Sequence, residues 1–260
     1  MDFRKKKIIV FDLDGTLAES KQSLDQETSN LLGQLLDIKK VAIISGGGFP
    51  QLQKQVIGKI PFDSNRLKNL YIFPTKGAMM YNFDGKDWQK IYEKLLTKED
   101  KEKIIDAFNK VYKEIDFLPK EHYGDILEDR SSEFTFSAFG QDAPVELKKN
   151  WDKDTSKRKE LKKRLDKYLS GFTVEIGGST SIDITQKSID KAYAIEKICE
   201  YLNVKGDEVL FIGDAIFKGG NDYSVIKTAV ENIDVDDYNE TKNIIRDIIN
   251  SAKQYNQITQ

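Results

Sequence analysis

Phe11-Asp12-Leu13-Asp14-Gly15-Thr16-Leu17 follows directly on the apolar run Ile8-Ile9-Val10-Phe11, and this stretch decides the fold. An unbroken run of large, mostly β-branched residues is the pattern of a strand buried on both faces, as in the interior of a parallel sheet. Ligands of open parallel sheets collect beyond the carboxyl ends of the strands, so a turn carrying two carboxylates here stands where a site is expected. Gly15 permits the backbone to curl, so that Asp12 and Asp14 turn toward one centre. One carboxylate can then attack while the other handles a proton.

Outward from that turn, β and α patterns alternate. A helical stretch near Thr28–Leu36 precedes a strand at Val41–Ile44, and a helix near Gln51–Ile57 precedes a strand at Leu70–Phe73. The alternation resumes late in the chain with a helix over Ile189–Leu202, strands at Val209–Ile212 and Glu231–Val235, and a terminal helix from Glu240. These are two pieces of one α/β domain with a Rossmann-like parallel sheet.

Between them the pattern changes. Thr97 with Asp100 reads as a capping box opening a helix whose apolar face is Ile104, Phe108, Val111 and Ile115. A β segment at Glu133–Phe139, a charged helix at Lys157–Leu169, and strands at Thr173–Ile176 and Ser181–Ile184 complete an α+β insertion. The expected division is a core of residues 1–82 and 186–260 with an inserted α+β domain of residues 83–185.

Composition excludes several classes. Among 260 residues, 39% are hydrophobic and 32% charged, the balance of a globular chain. The longest apolar runs are strand-length, far short of the roughly 20 residues that span a bilayer. The start has basic residues but no apolar helix or small-residue cleavage site after them, so the cytoplasm is the expected location. A net charge of −2, with Lys and Arg matched by acids, argues against a nucleic-acid partner. The single Cys199 can build neither an internal disulfide nor a thiolate zinc site, and the single His122 has no His or Cys partner. Acid–base chemistry therefore falls to carboxylates. Oligomeric state is left open.

Three further motifs join the first. Phe211-Ile212-Gly213-Asp214 is again strand then turn, continuing to Gly219-Gly220-Asn221-Asp222. Acids at the ends of two parallel strands can share a hard cation such as magnesium, which takes oxygen ligands. Ser45-Gly46-Gly47-Gly48 ends the second strand, offering a hydroxyl donor and close-approaching backbone N–H groups suited to phosphate oxygens. Lys191 sits at the start of a helix, where the macrodipole favours anions over cations.

In order and strand-end placement these four motifs resemble those of the haloacid dehalogenase superfamily. The resemblance implies that Asp12 is a nucleophile forming an aspartyl-phosphate, Asp14 a general acid and then base, and Ser45 and Lys191 phosphate ligands, with Gly46 beside them. It implies Mg2+ held by Asp12, Asp14 and Asp214, with Asp222 in support. Leu17–Gln22, Tyr71–Pro74, Arg130–Ser132, Ile176–Asp183, Ile189–Lys191 and the stretch from Gly213 to Asp222 look like the eukaryotic-type phosphomannomutases, in the branch with an α/β cap. Carried over, Arg130, Ser181 and Asp183 are cap residues touching a sugar phosphate. Lys21 stands where that family has a core arginine, Gln141 where its cap has a second arginine, and Lys76 where an asparagine is usual.

The expected function is a magnesium-dependent phosphatase acting on a small phosphorylated metabolite such as a sugar phosphate. The alternatives are a phosphomannomutase-like mutase and, from another class, a catalytically silent phosphate-binding protein. Loss of forked guanidinium groups at the positions of Lys21 and Gln141 weakens a second phosphate site and favours hydrolysis.

Overall fold

The apolar runs read as strands lie side by side in one sheet. A computed structural model describes residues 2–61 and 63–258. It divides the chain into two compact units, one running up to Glu93 and resuming at Ile189, the other comprising Lys94–Ser188.

In the first unit the strands are β1 (Ile8–Asp12), β2 (Lys40–Ile44), β3 (Leu70–Phe73), β4 (Met79–Phe83), β5 (Trp88–Glu93), β10 (Val209–Gly213) and β11 (Glu231–Asp234). Their order is β11-β10-β1-β2-β3-β4-β5. Pairing is parallel from β11 to β3 and antiparallel for β4 and β5. The chain builds outward from β1 through β2 and β3, then returns to the other side of β1 with β10. That reversal makes the carboxyl end of β1 a topological switch point, where open α/β sheets bind ligands.

Helices cover both faces of this sheet. Ile9 and Phe11 of β1 pack with Leu32, Leu35 and Leu36 of α1 (Gln26–Leu36) and with Ile245 and Ile248 of α8 (Tyr238–Ile258). Ile8 and Val10 face the other way, into a cluster with Ala194, Ile195 and Ile198 of α7 (Lys191–Leu202). Full burial of each such Leu or Ile contributes about 1.5–3 kcal/mol, so the two apolar faces of β1 anchor it between helix layers.

In the second unit β6 (Leu127–Asp129), β7 (Glu133–Ser137), β8 (Phe172–Ile176) and β9 (Ser181–Gln186) form an antiparallel sheet in the order β6-β7-β9-β8. Phe134, Phe136, Ile182 and Ile184 on one face of the sheet pack with Ile104, Phe108 and Val111 of α4 (Lys98–Glu114) and Leu161 and Leu165 of α6 (Ser156–Tyr168). The capping box opening α4 is present: Asp100 N donates to Thr97 Oγ1 at 3.1 Å and Thr97 N to Asp100 Oδ2 at 3.2 Å.

Several boundaries differ from the sequence reading, each for a local reason. The division falls at 93/94 and 188/189, not 82/83 and 185/186, because the β4–β5 hairpin extends the large sheet. The helix read over Gln51–Ile57 is a short turn, α2 (Phe49–Leu52), running into a π-helical turn, Gln53–Ile57. The segment read from Ile189 becomes helical only at Lys191, because Asp190 is the cap and accepts from Tyr193 N at 3.0 Å. The β segment read to Phe139 ends at Ser137, whose carbonyl accepts from Gly140 N as the chain turns. Short α3 (Ser64–Leu67) and α5 (Val145–Trp151), and strand β6, were not expected from pattern.

Candidate active site

Register places the chemistry. Phe11 of β1 pairs with Ile212 of β10, and Asp12 pairs with Ile44 of β2. Asp12 therefore ends β1 level with the last residues of both neighbours, and Asp214 and Ser45 each lie one residue past a neighbouring strand. Helix α7 adds Lys191 as its first residue.

Four of the expected site residues converge. Asp12, Asp214 and Asp222 each offer a carboxylate oxygen within 4.8 Å of the others. Lys191 Nζ donates to Asp12 Oδ1 at 2.5 Å and also to Asp222 Oδ1. Asp12 and Lys191 are each 3% exposed and Asp222 is fully buried. A cation at a helix N-terminus opposes the macrodipole, and these two carboxylates hold it there.

The cluster is not balanced. Three carboxylates face one ammonium, a formal excess of two negative charges in a buried place. Burial pushes the Asp12 carboxyl up to about 7 against the opposing pull of Lys191, with Asp222 and Asp214 adding to the rise. Lys191 is held above its usual range by Asp12 and Asp222 despite its own burial. Asp214 is likewise raised, chiefly by burial. Asp12 Oδ2 is buried with no hydrogen-bond partner. An orphaned carboxylate oxygen, an all-oxygen donor set and an excess of two negative charges together fit a hard divalent cation.

Glycines and a threonine hold this geometry. Gly15 has φ +89°, and a Cβ there would collide with the Asp214 carboxylate. A Cβ on Gly213 would crowd both Asp222 Oδ2 and the Phe211 ring. Thr16 Oγ1 donates to Asp214 Oδ1 at 3.2 Å, and Ala215 N donates to Asp222 Oδ2 at 3.1 Å. Thr16 lies within the first motif, four residues after the end of β1, and its part follows only from Asp214 lying beside it.

Ser45 is buried, and its Oγ accepts from Gly47 N at 3.1 Å, which leaves the hydroxyl proton to be donated elsewhere. Gly46 is exposed, and a Cβ there would stand in ordinary contact with Lys76 Cε at 3.9 Å. Both meet the needs of a phosphate oxygen arriving beside Asp12.

The structure separates other expected residues. The Asp14 carboxylate is not in the acidic cluster: it is half-buried, and its Oδ1 accepts from Lys21 N at 2.5 Å. Its proposed place among the metal ligands therefore has no support from its side chain. Lys21 is exposed, in a left-handed turn with φ 62°. Arg130, Ser181 and Asp183 belong to the second unit. Arg130 Nε donates to Glu128 Oε2 at 2.8 Å, and Nη1 lies 3.4 Å from Glu133 Oε1. Asp183 Oδ1 accepts from Thr135 Oγ1 at 2.9 Å, and both Ser181 and Asp183 press on the space above Gly177. Cys199 is half-buried against the α7 side of the core, and His122 is exposed.

A family model for haloacid dehalogenase-like hydrolases matches residues 9–258. The chain belongs to the haloacid dehalogenase-like hydrolase family. Among its relatives, a phosphomannomutase of Schizosaccharomyces pombe is 26% identical over 230 residues, covering 85% of each chain. A phosphomannomutase of Encephalitozoon cuniculi is 28% identical over 239 residues, covering 85% of this chain and 84% of the other. Among solved structures, Plasmodium falciparum IMP-nucleotidase superposes with a TM-score of 0.72 at 15% identity, over 96% of this chain and 70% of that one. A trehalose-6-phosphate phosphatase of Aspergillus fumigatus gives 0.58 at 14% identity, over 96% and 95%. At such identities the superpositions establish the α/β fold of this haloacid dehalogenase-like chain and nothing finer. Among the described residues, no helix is long and apolar enough to cross a membrane.

Proposed function

We propose that this chain is a phosphatase that transfers the phosphoryl group of a small phosphorylated metabolite, of the sugar-phosphate class, to Asp12 and then to water. The observation that carries the reading is Asp12 itself: a buried carboxylate at a strand end, oriented through Oδ1 by Lys191, with Oδ2 unpartnered. Asp12, Asp214 and Asp222 are the residues that would hold Mg2+, with Asp14 left to proton transfer. The cation, when bound, offsets negative charge on the cluster and on the phosphoryl oxygens.

The chain's own residues do the rest. A carboxylate oxygen of Asp12 attacks phosphorus as the bond to the leaving-group oxygen breaks, and Asp14 supplies the proton that oxygen takes up. Water then attacks the aspartyl-phosphate, giving a proton to Asp14, and the bond from phosphorus to the Asp12 oxygen breaks to release inorganic phosphate. Ser45 and Gly46 orient the phosphoryl oxygens, and Lys191 holds the nucleophile in place. The unit Lys94–Ser188 serves as a cap that selects the substrate, with Arg130, Ser181 and Asp183 as its contacts.

A mutase is the second reading, supported by kinship with phosphomannomutases. Against it, Arg130 is already engaged by two glutamates and Gln141 adds no charge, which weakens the grip on a second phosphate. Release of phosphate from a chromogenic ester and a panel of sugar phosphates, with magnesium and with chelator, tests the proposal. Magnesium-dependent release faster than any interconversion of mannose 1-phosphate and mannose 6-phosphate is expected. Faster interconversion makes the chain a mutase, and no turnover on any phosphomonoester leaves a silent binding protein.

A further inference from the structure

The loop after β3, Pro74-Thr75-Lys76-Gly77-Ala78, has an unusual backbone. Thr75 (φ 49°), Lys76 (φ 56°) and Gly77 (φ 99°) are three successive residues in the left-handed region. For a β-branched threonine this conformation is a genuine outlier, and it persists only where the surroundings over-determine it. Strain of this kind gathers at segments that must hold a ligand or a neighbouring loop in place.

On one side the loop clamps the turn that ends β2. Lys76 N donates to Ser45 O at 2.8 Å, and Thr75 N donates to Gly47 O at 3.0 Å. In a trans peptide the C=O and the following N–H point in opposite directions. Fixing the carbonyls of Ser45 and Gly47 on the loop therefore turns Gly46 N–H and Gly48 N–H away from it, and neither donates to any of the described residues. Two unpartnered N–H groups facing one way, beside the Ser45 hydroxyl, form the kind of concavity that takes an anion.

On the other side the loop is wedged against α7 and tied to β5. Gly77 lies so close to Ala194, one turn into α7 from Lys191, that a Cβ there would collide with it. Tyr92, near the end of β5, reaches both partners. Its Oη donates to Gly77 O at 2.7 Å, and its ring meets that of Tyr193 on α7 edge-on, with centroids 6.3 Å apart. The hydroxyl thus pins the strained segment by its last left-handed residue, and the ring holds the hydroxyl in place.

Resting on the phosphoryl-transfer reading above, we propose that Tyr92 is a positioning residue of this site, whose hydroxyl keeps the strained loop in the conformation that aims the N–H groups of the Ser45 turn at phosphoryl oxygens. Tyr92 acts through Gly77 and then through the main-chain bonds of Thr75 and Lys76, and touches no reacting atom itself.

The test uses the full-length protein and Tyr92→Phe, which keeps the ring against Tyr193 and removes only the hydroxyl. Affinity for inorganic phosphate with magnesium is measured by calorimetry, KM and kcat on a chromogenic phosphate ester, and amide hydrogen exchange by mass spectrometry, all well below the melting temperature. Phosphate affinity should fall and KM rise by about fivefold, the size of one lost hydrogen bond. The N–H groups grip the phosphoryl oxygens alike in ground and transition states, so kcat should stay within about twofold of wild type. Peptides holding Thr75 and Lys76 should exchange about tenfold faster, with those of β1 and β10 unchanged. Phosphate affinity and KM equal to wild type in Tyr92→Phe overturn the assignment and leave the phosphoryl-transfer reading standing. Weaker binding with faster exchange throughout the sheet makes Tyr92 a general structural residue and also overturns it. Neither phosphate binding nor ester turnover by the wild-type protein overturns the assignment together with the reading it rests on.

Discussion

Two buried charge clusters, one in each unit, have opposite characters. In the second unit Arg158 and Asp152 are almost fully buried and saturated. Arg158 Nε donates to Asp152 Oδ2 at 2.7 Å, Nη2 to Asp152 O at 3.1 Å, and Nη1 to Gly178 O. The Asp152 oxygens also accept from Lys157 N and Arg158 N at the start of α6. In the first unit Asp12, Asp222 and Lys191 are equally buried and Asp214 half-buried, yet the cluster carries an excess of negative charge and an orphaned oxygen. A cluster whose charges and hydrogen bonds close on themselves is architecture. One left open is poised for a ligand, since an uncompensated buried charge persists only where something else repays its cost.

The largest expected effect is on activity. Asp12→Asn should abolish turnover, because an amide is a poor nucleophile, while the metal-free protein should melt no lower than wild type, since the substitution removes one charge from an overcrowded cluster. Asp14→Asn should slow the proton-dependent steps by about a hundred- to ten-thousand-fold and leave detectable activity. Steady-state assays with parallel melting curves check both. Near-native turnover by folded Asp12→Asn would erase the distinction drawn between the clusters.

Next in size is a stability effect in the other cluster. Arg158→Met leaves Asp152 buried and unpaired, and urea denaturation should show a loss of about 3–5 kcal/mol, typical of breaking a buried pair. Added magnesium should not restore it. A cost under about 1 kcal/mol, the level of an exposed pair, would show the Arg158 pair to be no architectural element.

The smallest effect is a pH dependence. Burial lifts Asp12 from its ordinary 3.8 to about 7 in the metal-free protein, so a divalent cation competes with a proton there. Magnesium affinity should fall by about tenfold for each pH unit below 7 and level off above it. The sign for stability follows the same shift: the contribution of this group to the metal-free fold is fully present below pH 3.8 and is lost as pH rises through about 7. Magnesium titrations monitored by melting temperature at several pH values check this, and a pH-independent affinity contradicts it.

Much of this was readable in advance because buried parallel strands are written as continuous apolar runs. Ile8–Phe11, Val41–Ile44, Leu70–Phe73 and Val209–Ile212 all fall in the sheet, and the acids just past two of them meet because adjacent parallel strands end level. The β4–β5 hairpin was missed for the opposite reason. Trp88–Glu93 is an edge strand with exposed Gln89, Lys90 and Ile91, so its pattern is weak, although Asp84-Gly85 between Phe83 and Trp88 is a hairpin signal. Asp14 was grouped with the metal ligands by family resemblance, and a shared motif says nothing of the turn that ties its carboxylate to Lys21 N. Lys76 stood out only as a departure from a usual asparagine, since the left-handed backbone around it depends on contacts with the turn after β2, with β5 and with α7.

The central claim is that the phosphoryl group passes through Asp12. Acid-quenching the magnesium-loaded protein during turnover of a chromogenic phosphate ester, then locating the modification by peptide mass spectrometry, tests this directly. One phosphoryl group on the peptide containing Asp12, absent from Asp12→Asn, is the result expected. Turnover with no phosphorylated protein, or a phosphoryl group on any other residue, would contradict it.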